Sequence, residues 1–325
     1  MAQSVLCLGN ALVDIIVKLT NNDFLRKHNL PKGSMQLVDR QMMASLRSEA
    51  SGLELSMQTG GSAANTANGI ANLGVSSAYI SMVGEDELGD FYESDLKKNN
   101  VDSLLLRSKN TATGSALTFI SPDKERTFAT YLGAAYEMKE SVLSQQVLAP
   151  YDYFHIEGFQ IVNHDLIRKA VTLSQDMNKR LSIDLASYNI VQENWAFLRD
   201  ICRSAYIVFA NEQEAKAFTG QAPQEAARSI ASLCKVAVVK LGKQGSLVCS
   251  NGKLFHIPKI LCHCVDTNGA GDMYAAGFLS GLCMGKSLQE CGQMAGVLAS
   301  KVITYYGAKI TPEGWKEVCQ SLNLK

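Results

Sequence analysis

The sequence carries no net charge: its 31 Lys and Arg residues balance 31 Asp and Glu. A protein that lives on nucleic acid usually meets the phosphate backbone with a basic excess, so nucleic acid is not expected as the main partner. No apolar run is long enough to cross a bilayer, and a membrane role is set aside with it. The stretch leading into Val5-Leu6-Cys7-Leu8 has no basic region before its apolar residues, and it reads as a buried strand, not a secretory leader. No repeat, low-complexity tract or long linker interrupts the chain. The nine cysteines are odd in number and sit mostly in apolar patterns, the usage expected of a reduced, cytoplasmic protein in which cysteine is a small hydrophobe. Cys262-His263-Cys264 lacks a second ligand pair at metal-binding spacing, and strand alternation would send its thiols to one face and His263 to the other. Two nucleotide signatures are also missing. No G-x-G-x-x-G opens the first βα turn, which leaves the usual dinucleotide fold unsupported. The run Ser280 to Ser287 ends like a P-loop but begins with serine and follows a helix, not a strand.

What is present is a core. Hydrophobic residues make up 46% and charged residues 19% of 325 positions, enough for one large domain or two. From about Tyr151 onward, strand-like runs (Tyr153 to Ile156, Leu181 to Asp184, Ile207 to Ala210, Val236 to Leu241, Ser246 to Cys249) alternate with amphipathic helical segments. Continuous apolar strands between such helices imply a parallel sheet covered on both faces, a doubly wound α/β domain spanning 1–325. The β-rich pieces near 12–38 and 112–132 are expected to form a small lid. Ligands of open α/β sheets sit beyond the carboxyl ends of the strands, where Gly158, Asp184, Asn211, Gly242 and Asp266 fall.

The most constrained motif is Asp266-Thr267-Asn268-Gly269-Ala270-Gly271-Asp272, followed by a helical run from Met273 to about Leu282. Helix-start amides are unpaired and the helix dipole adds positive charge there. Gly269, Ala270 and Gly271 leave no bulky side chain to hold an anion away. Asp272 sets a carboxylate beside that cradle, as phosphoryl transfer to a hydroxyl requires: a base for the hydroxyl proton, and amides from Asn268 to Gly271 for the transferred phosphate.

Other clusters admit a functional and a plain reading. Gly60-Gly61-Ser62-Ala63-Ala64-Asn65 either brings backbone close to a ligand with Asn65 as donor and acceptor, or simply opens a helix. In Asn10-Ala11-Leu12-Val13-Asp14, the aspartate lies in an apolar stretch and either binds sugar hydroxyls or faces solvent. Asn211-Glu212-Gln213-Glu214 offers oxygen ligands suited to hydrated Mg2+, or a helix cap. Lys240-Leu241-Gly242-Lys243-Gln244-Gly245 is a turn between strands, either a plain hairpin or a loop against nucleotide phosphates.

Taken together, G-G-S-A-A-N-T, N-E-x-E, K-L-G-x-x-G and D-T-N-G-A-G-D, in this order and over nearly the whole chain, resemble the ribokinase-like (pfkB-type) carbohydrate kinases. The resemblance implies a mostly parallel sheet with a β-lid and transfer of the γ-phosphate of ATP to a primary hydroxyl, using Mg2+. By position it implies Asp272 as base, Gly269, Ala270 and Gly271 as anion hole, and Asp14, Gly61 and Asn65 as acceptor pocket. It places Asn211 and Glu214 toward magnesium and phosphate, with Glu214 acting through water, and Lys240, Gly242, Gly245 and Asn268 beside ATP. The adenine would lie near Ala299 and Ile303. A K+ site would fall at Asp266, Asn268, Val302 and Gly307. Asn10 to Ile15, the stretch Lys27 to Gln36, D-T-N, and Arg126 to Ala135 look most like the adenosine-kinase branch. Gln36, Leu37, Ala135 and Phe159 would then supply an apolar slot for a base. Gln160 departs from that branch, where an aromatic is expected; it would suit the hydroxyls of a free sugar such as ribose or fructose. A nucleoside or a sugar is therefore the expected partner, bound by a monomer or a homodimer.

Overall fold

Runs such as Val236-Ala237-Val238-Val239 carry apolar side chains on consecutive positions, so as strands they must be covered on both faces. The computed structural model, which describes residues 3–53, 55–123 and 125–324, buries them in that way. Its elements begin with β1 (Ser4–Leu8), β2 (Leu12–Lys18), α1 (Asp23–Lys27), β3 (Met35–Leu37), α2 (Arg40–Ala50), β4 (Leu55–Gly60), α3 (Ser62–Asn72) and β5 (Ser76–Gly84). Then come α4 (Glu87–Lys98), β6 (Asp102–Ser108), β7 (Gly114–Ile120), β8 (Arg126–Tyr131), α5 (Gln145–Leu148), β9 (Tyr153–Ile156), α6 (His164–Asp176) and β10 (Arg180–Asp184). The chain closes with α7 (Tyr188–Glu193), α8 (Trp195–Cys202), β11 (Ile207–Asn211), α9 (Glu212–Thr219), α10 (Pro223–Ala231), β12 (Val236–Lys240), β13 (Ser246–Ser250), β14 (Lys253–Ile257), α11 (Ala270–Cys283), α12 (Leu288–Val302) and α13 (Pro312–Ser321).

Among the described residues, nine strands form one sheet in the order β14-β13-β12-β11-β10-β9-β1-β5-β6. Pairings from β12 through β6 are parallel, and the β12–β13 and β13–β14 pairings at one edge are antiparallel, so that β13 alone of the nine runs opposite. One face packs Cys7, Tyr153, Phe209 and Val238 against Met273, Phe278 and Leu298 of α11 and α12. The other packs Leu8, Ile156, Ile183 and Val239 against Ile167, Leu198 and Ile230 of α6, α8 and α10. Side-by-side parallel strands bring Asn10, Glu157, Asp184, Asn211 and Lys240 to one rim.

The lid is a five-stranded sheet in the order β3-β8-β7-β2-β4. It therefore includes β4, a strand outside the two segments expected from the sequence. Its register sets Asp14 opposite Gln58 and Ala116, Ala116 opposite Thr130, and Thr130 opposite Leu37, so these share one face. Val13, Ile15, Leu117 and Ala129 fall on the other face, buried with Leu25, Met43 and Leu46 of α1 and α2. Cys262, His263 and Cys264 form no strand. They lie exposed in an irregular segment ahead of α11, so the alternation expected there does not apply. No group of acids, histidines and cysteines among the described residues could hold a metal alone, and no helix is long and apolar enough to cross a membrane.

Candidate active site

The helix α11 starts at Ala270 on Gly269, whose φ of 74° suits glycine and whose added Cβ would run into Ala308. No side chain caps this end, so its first-turn amides keep their anion-binding character. Asp272 stands in that first turn. Its Oδ1 accepts from Ser62 Oγ at 2.7 Å and its Oδ2 from Asn65 Nδ2 at 2.8 Å. Both donors come from the first turn of α3. Thr66 Oγ1 also donates to the Asp272 carbonyl at 3.2 Å, so the two helix starts are clasped together. Burial pushes the Asp272 carboxyl pKa up; the Ser62 and Asn65 hydrogen bonds oppose it, the Asp184 charge adds to it, and Lys240 opposes.

Asp14 faces the same cleft from the lid. Gly60 lies directly against its carboxylate, and any Cβ there would overlap it. Burial, aided by the charge of Asp272, raises the Asp14 pKa to about 6, against the pull of Lys309 and Arg126. Asn10 extends from the end of β1, where its side chain donates to Glu157 at 3.0 Å and accepts from Gln160 Nε2 at 2.8 Å. Gln160 is thereby committed to Asn10 and is buried. Gly61, with φ 98°, lets the backbone pass the Asn10 carbonyl and opens α3. Phe159, beyond the end of β9, is 43% exposed, and Leu37 on the Asp14 face of the lid is 65% exposed. Gln36 is on the opposite lid face, paired with Ala129, and is not brought to the cleft. Ala135 is buried in the turn 133–137, whose Tyr136 is exposed instead.

On the nucleotide side, Lys240 Nζ donates to Asp184 Oδ2 at 2.8 Å. It also stands where a Cβ on Gly271 would be 3.2 Å away, so the ammonium lies next to the start of α11. The Lys240 charge holds the Asp184 pKa below the usual carboxylate range although burial works the other way. Asn211 and Glu214 form a reciprocal cap: Glu214 accepts from the Asn211 amide at 2.7 Å and returns its own amide to Asn211 Oδ1 at 2.9 Å. Glu214 is buried, and desolvation with the nearby Asp184 charge raises its pKa to about 7. Gly242 and Gly245, at φ 55° and 86°, make the turn from β12 to the antiparallel β13.

Asp266 accepts from the Gly307 amide at 2.7 Å and the Asn268 amide at 3.2 Å, and forms an ion pair with Arg126 of the lid at 2.8 Å. Ile303, at the end of α12, accepts from the Val265 amide at 2.8 Å and so fixes the approach to the motif; Ala299 lies one turn earlier, half-buried. Val302 is buried in the core beneath.

The oxygen donors Asp184, Asn211 and Glu214 share a rim where two carboxylates face one lysine. That surplus of negative charge fits a divalent cation held by ATP phosphates with water between it and the protein. Glu157, Asp184, Ser62, Lys309 and Arg126 were not assigned roles by the sequence. Glu157 had one signal, an acid ending an apolar strand next to Gly158. Ser62 stood inside a glycine motif whose backbone drew the attention.

The chain resembles known proteins along its whole length. A family model described as pfkB family carbohydrate kinase matches residues 36–314. A crystal structure of adenosine kinase from Sinorhizobium meliloti is 31% identical with a TM-score of 0.86, covering 99% of this chain and all of that one. A probable sugar kinase from Rhizobium etli CFN 42 is 30% identical with a TM-score of 0.88, covering all of this chain and 99% of that one. An adenosine kinase of Schizophyllum commune is 26% identical over 330 residues, 93% of this chain and 95% of that protein.

Proposed function

Since the chain belongs to the pfkB family of carbohydrate kinases, we propose that it transfers the γ-phosphate of ATP to a primary hydroxyl of a nucleoside, with Asp272 as the base. The observation that carries this reading is the Asp272 carboxylate, fixed by Ser62 and Asn65 in an uncapped helix start. In the step, the acceptor O–H bond breaks and its proton passes to Asp272. The oxygen bonds to the γ-phosphorus as the bond from that phosphorus to the ADP oxygen breaks. Amides of Gly271 and Asp272, with Lys240 beside them, stabilise the charge on the moving phosphoryl group. Asn211, Glu214 and Asp184 are the residues that would hold Mg2+ through water, and the ion would neutralise charge on the ATP phosphates. The lid excludes water from the acceptor so that ATP is not hydrolysed.

Charge pairing supports a neutral acceptor. Lys240, Arg126 and Lys309 are each paired, with Asp184, Asp266 and Asp95, whereas Asp14 and Asp272 have no cation within hydrogen-bonding distance among the described residues. A phosphorylated sugar would meet net repulsion there. Met35 and Leu37, on the Asp14 face of the lid at 59% and 65% exposure, together with Phe159, give apolar area that a base would cover. A kinase of a free sugar is the second reading. It is favoured by Gln160 in place of the aromatic expected of the adenosine-kinase branch, which leaves no ring at that position to stack on a purine.

The test is turnover with ATP and Mg2+ against adenosine, other nucleosides, ribose, fructose and fructose 6-phosphate. Phosphorylation of nucleosides alone supports the reading. Turnover of free sugars alone replaces it with the second, and preference for the phosphorylated sugar contradicts both.

A further inference from the structure

Glu157 is a buried carboxylate, 1% exposed, that takes part in none of the chemistry above. Its Oε1 accepts from the Asn10 amide at 2.8 Å and from Asn10 Nδ2 at 3.0 Å, and its Oε2 accepts from the Ala63 amide at 2.8 Å. Gly9 makes room for it, since any Cβ at that position would overlap the carboxylate. It therefore bridges the loop after β1, which carries Asn10, to the first turn of α3, which carries Ser62 and Asn65. Those two side chains are the ones that hold both oxygens of Asp272.

We propose that Glu157 is the positioning residue of the acceptor pocket, setting Asn10 and the α3 start in register so that Ser62 and Asn65 aim the Asp272 carboxylate. The role in turnover rests on the kinase reading, but the geometry does not. Three N–H donors converge on two oxygens that have no N–H of their own. A glutamine in this place would turn an NH2 group toward at least one of those donors, leaving it unpaired in the interior. The carboxylate matters for its charge as well. Burial, with the negative charge of Asp272 adding, raises its pKa to about 7 against the hydrogen bonds of Ala63 and Asn10. The other titratable groups that feel it are Cys7 of β1, Tyr79 of β5 and Tyr92 of α4. Burial pushes that thiol and those phenols far up, so they stay neutral in this range. Asp272 is the neighbouring carboxylate whose charge acts on Glu157.

The experiment compares wild type with Glu157→Gln and Gly9→Ala, the second of which displaces the carboxylate without removing its charge. Hydrogen exchange of segments 10–12 and 61–66 is read without any substrate, and kcat, KM and their pH profiles are read with ATP and the acceptor. Both variants should melt cooperatively, exchange faster in both segments, and lose kcat by on the order of a hundredfold, the cost of misplacing a catalytic group by about 1 Å. In both variants the loss should fall on kcat, with the KM for ATP staying close to wild type. A general loosening of the fold would weaken ATP binding along with kcat. Wild-type exchange in both segments, or wild-type kcat, overturns the proposal. If wild type turns over no acceptor while the variants still lose protection, the kinase reading fails and the positioning role stands. If Glu157→Gln does not fold, Gly9→Ala alone decides, through the same exchange readout.

Discussion

Arg126, at the start of lid strand β8, forms an ion pair with Asp266, the first residue of the motif that opens α11, its Nη2 2.8 Å from the carboxylate Oδ2. The pair is largely shielded, with the two side chains 19% and 12% exposed. It joins the lid to the segment that positions the anion hole. It also sets a guanidinium against the carboxylate where the family resemblance would put a monovalent cation. Turnover is therefore expected to be unchanged when K+ is replaced by a bulky organic cation. Arg126→Ala should lower kcat/KM by roughly tenfold, equivalent to about 1.4 kcal/mol, and should make turnover sensitive to K+. Steady-state rates in matched ionic strength check both. K+ activation of the wild type would mean that the guanidinium does not fill that role.

Activity and stability should move in opposite directions with pH. Asp272 must be ionised to accept a proton, and burial raises its pKa, as it raises Asp14 to about 6. kcat/KM should fall as the pH drops through about 6, where Asp14, the carboxylate facing the same cleft, takes up a proton. For stability the sign reverses. Glu157 has a folded pKa of about 7 against 4.5 for the free group, so the native state holds its proton more tightly. The stability this confers is complete below about 4.5 and is lost as pH rises to about 7, on the order of 3 kcal/mol from this group alone. Denaturant unfolding of wild type and Glu157→Gln across that window should show a shallower pH slope in the variant.

The lid face opposite the sheet rim carries its apolar area at Met35 and Leu37. Replacing both with serine should raise the acceptor KM for a nucleoside by about tenfold, the scale of a lost apolar contact. The KM for ATP and the melting temperature should be unaffected, since both side chains are largely exposed. An unchanged acceptor KM would remove these residues from the base slot.

Lys240 and Asp184 form a shielded ion pair, 16% and 11% exposed. Lys240→Met should destabilise by about 3 kcal/mol, because Asp184 is left buried without its partner. The double variant Lys240→Met, Asp184→Asn should recover most of that stability but not the activity, since the ammonium beside Gly271 is still missing. Recovery of turnover in the double variant would show that Lys240 acts only on stability.

Much of this architecture was legible in the sequence, for identifiable reasons. Strands such as Val236 to Val239 are buried on both faces, so their apolar runs are unbroken and easy to read. The motif ending at Asp272 needs glycine for a positive φ at 269 and small residues for anion access, which makes it conspicuous. The lid was harder. β4, Leu-Ser-Met-Gln-Thr-Gly, is an edge strand whose outward residues are polar or exposed, so it lacks the alternation of a covered strand. Gln36 was placed in the cleft by its sequence neighbourhood, and a register that only the β3–β8 pairing decides turned it to the other face. Glu157 was passed over because its significance lies in its partners, Asn10 and Ala63, which are 147 and 94 residues away along the chain.

The most direct test of the account is Asp272→Asn, an isosteric change that keeps the Ser62 and Asn65 contacts within reach but removes the base. Single-turnover phosphorylation should slow by about a thousandfold, while the ATP dissociation constant from calorimetry and the melting temperature stay close to wild type. A variant that turns over at a rate near wild type would contradict Asp272 as the group that takes the hydroxyl proton, and with it the reading of the site.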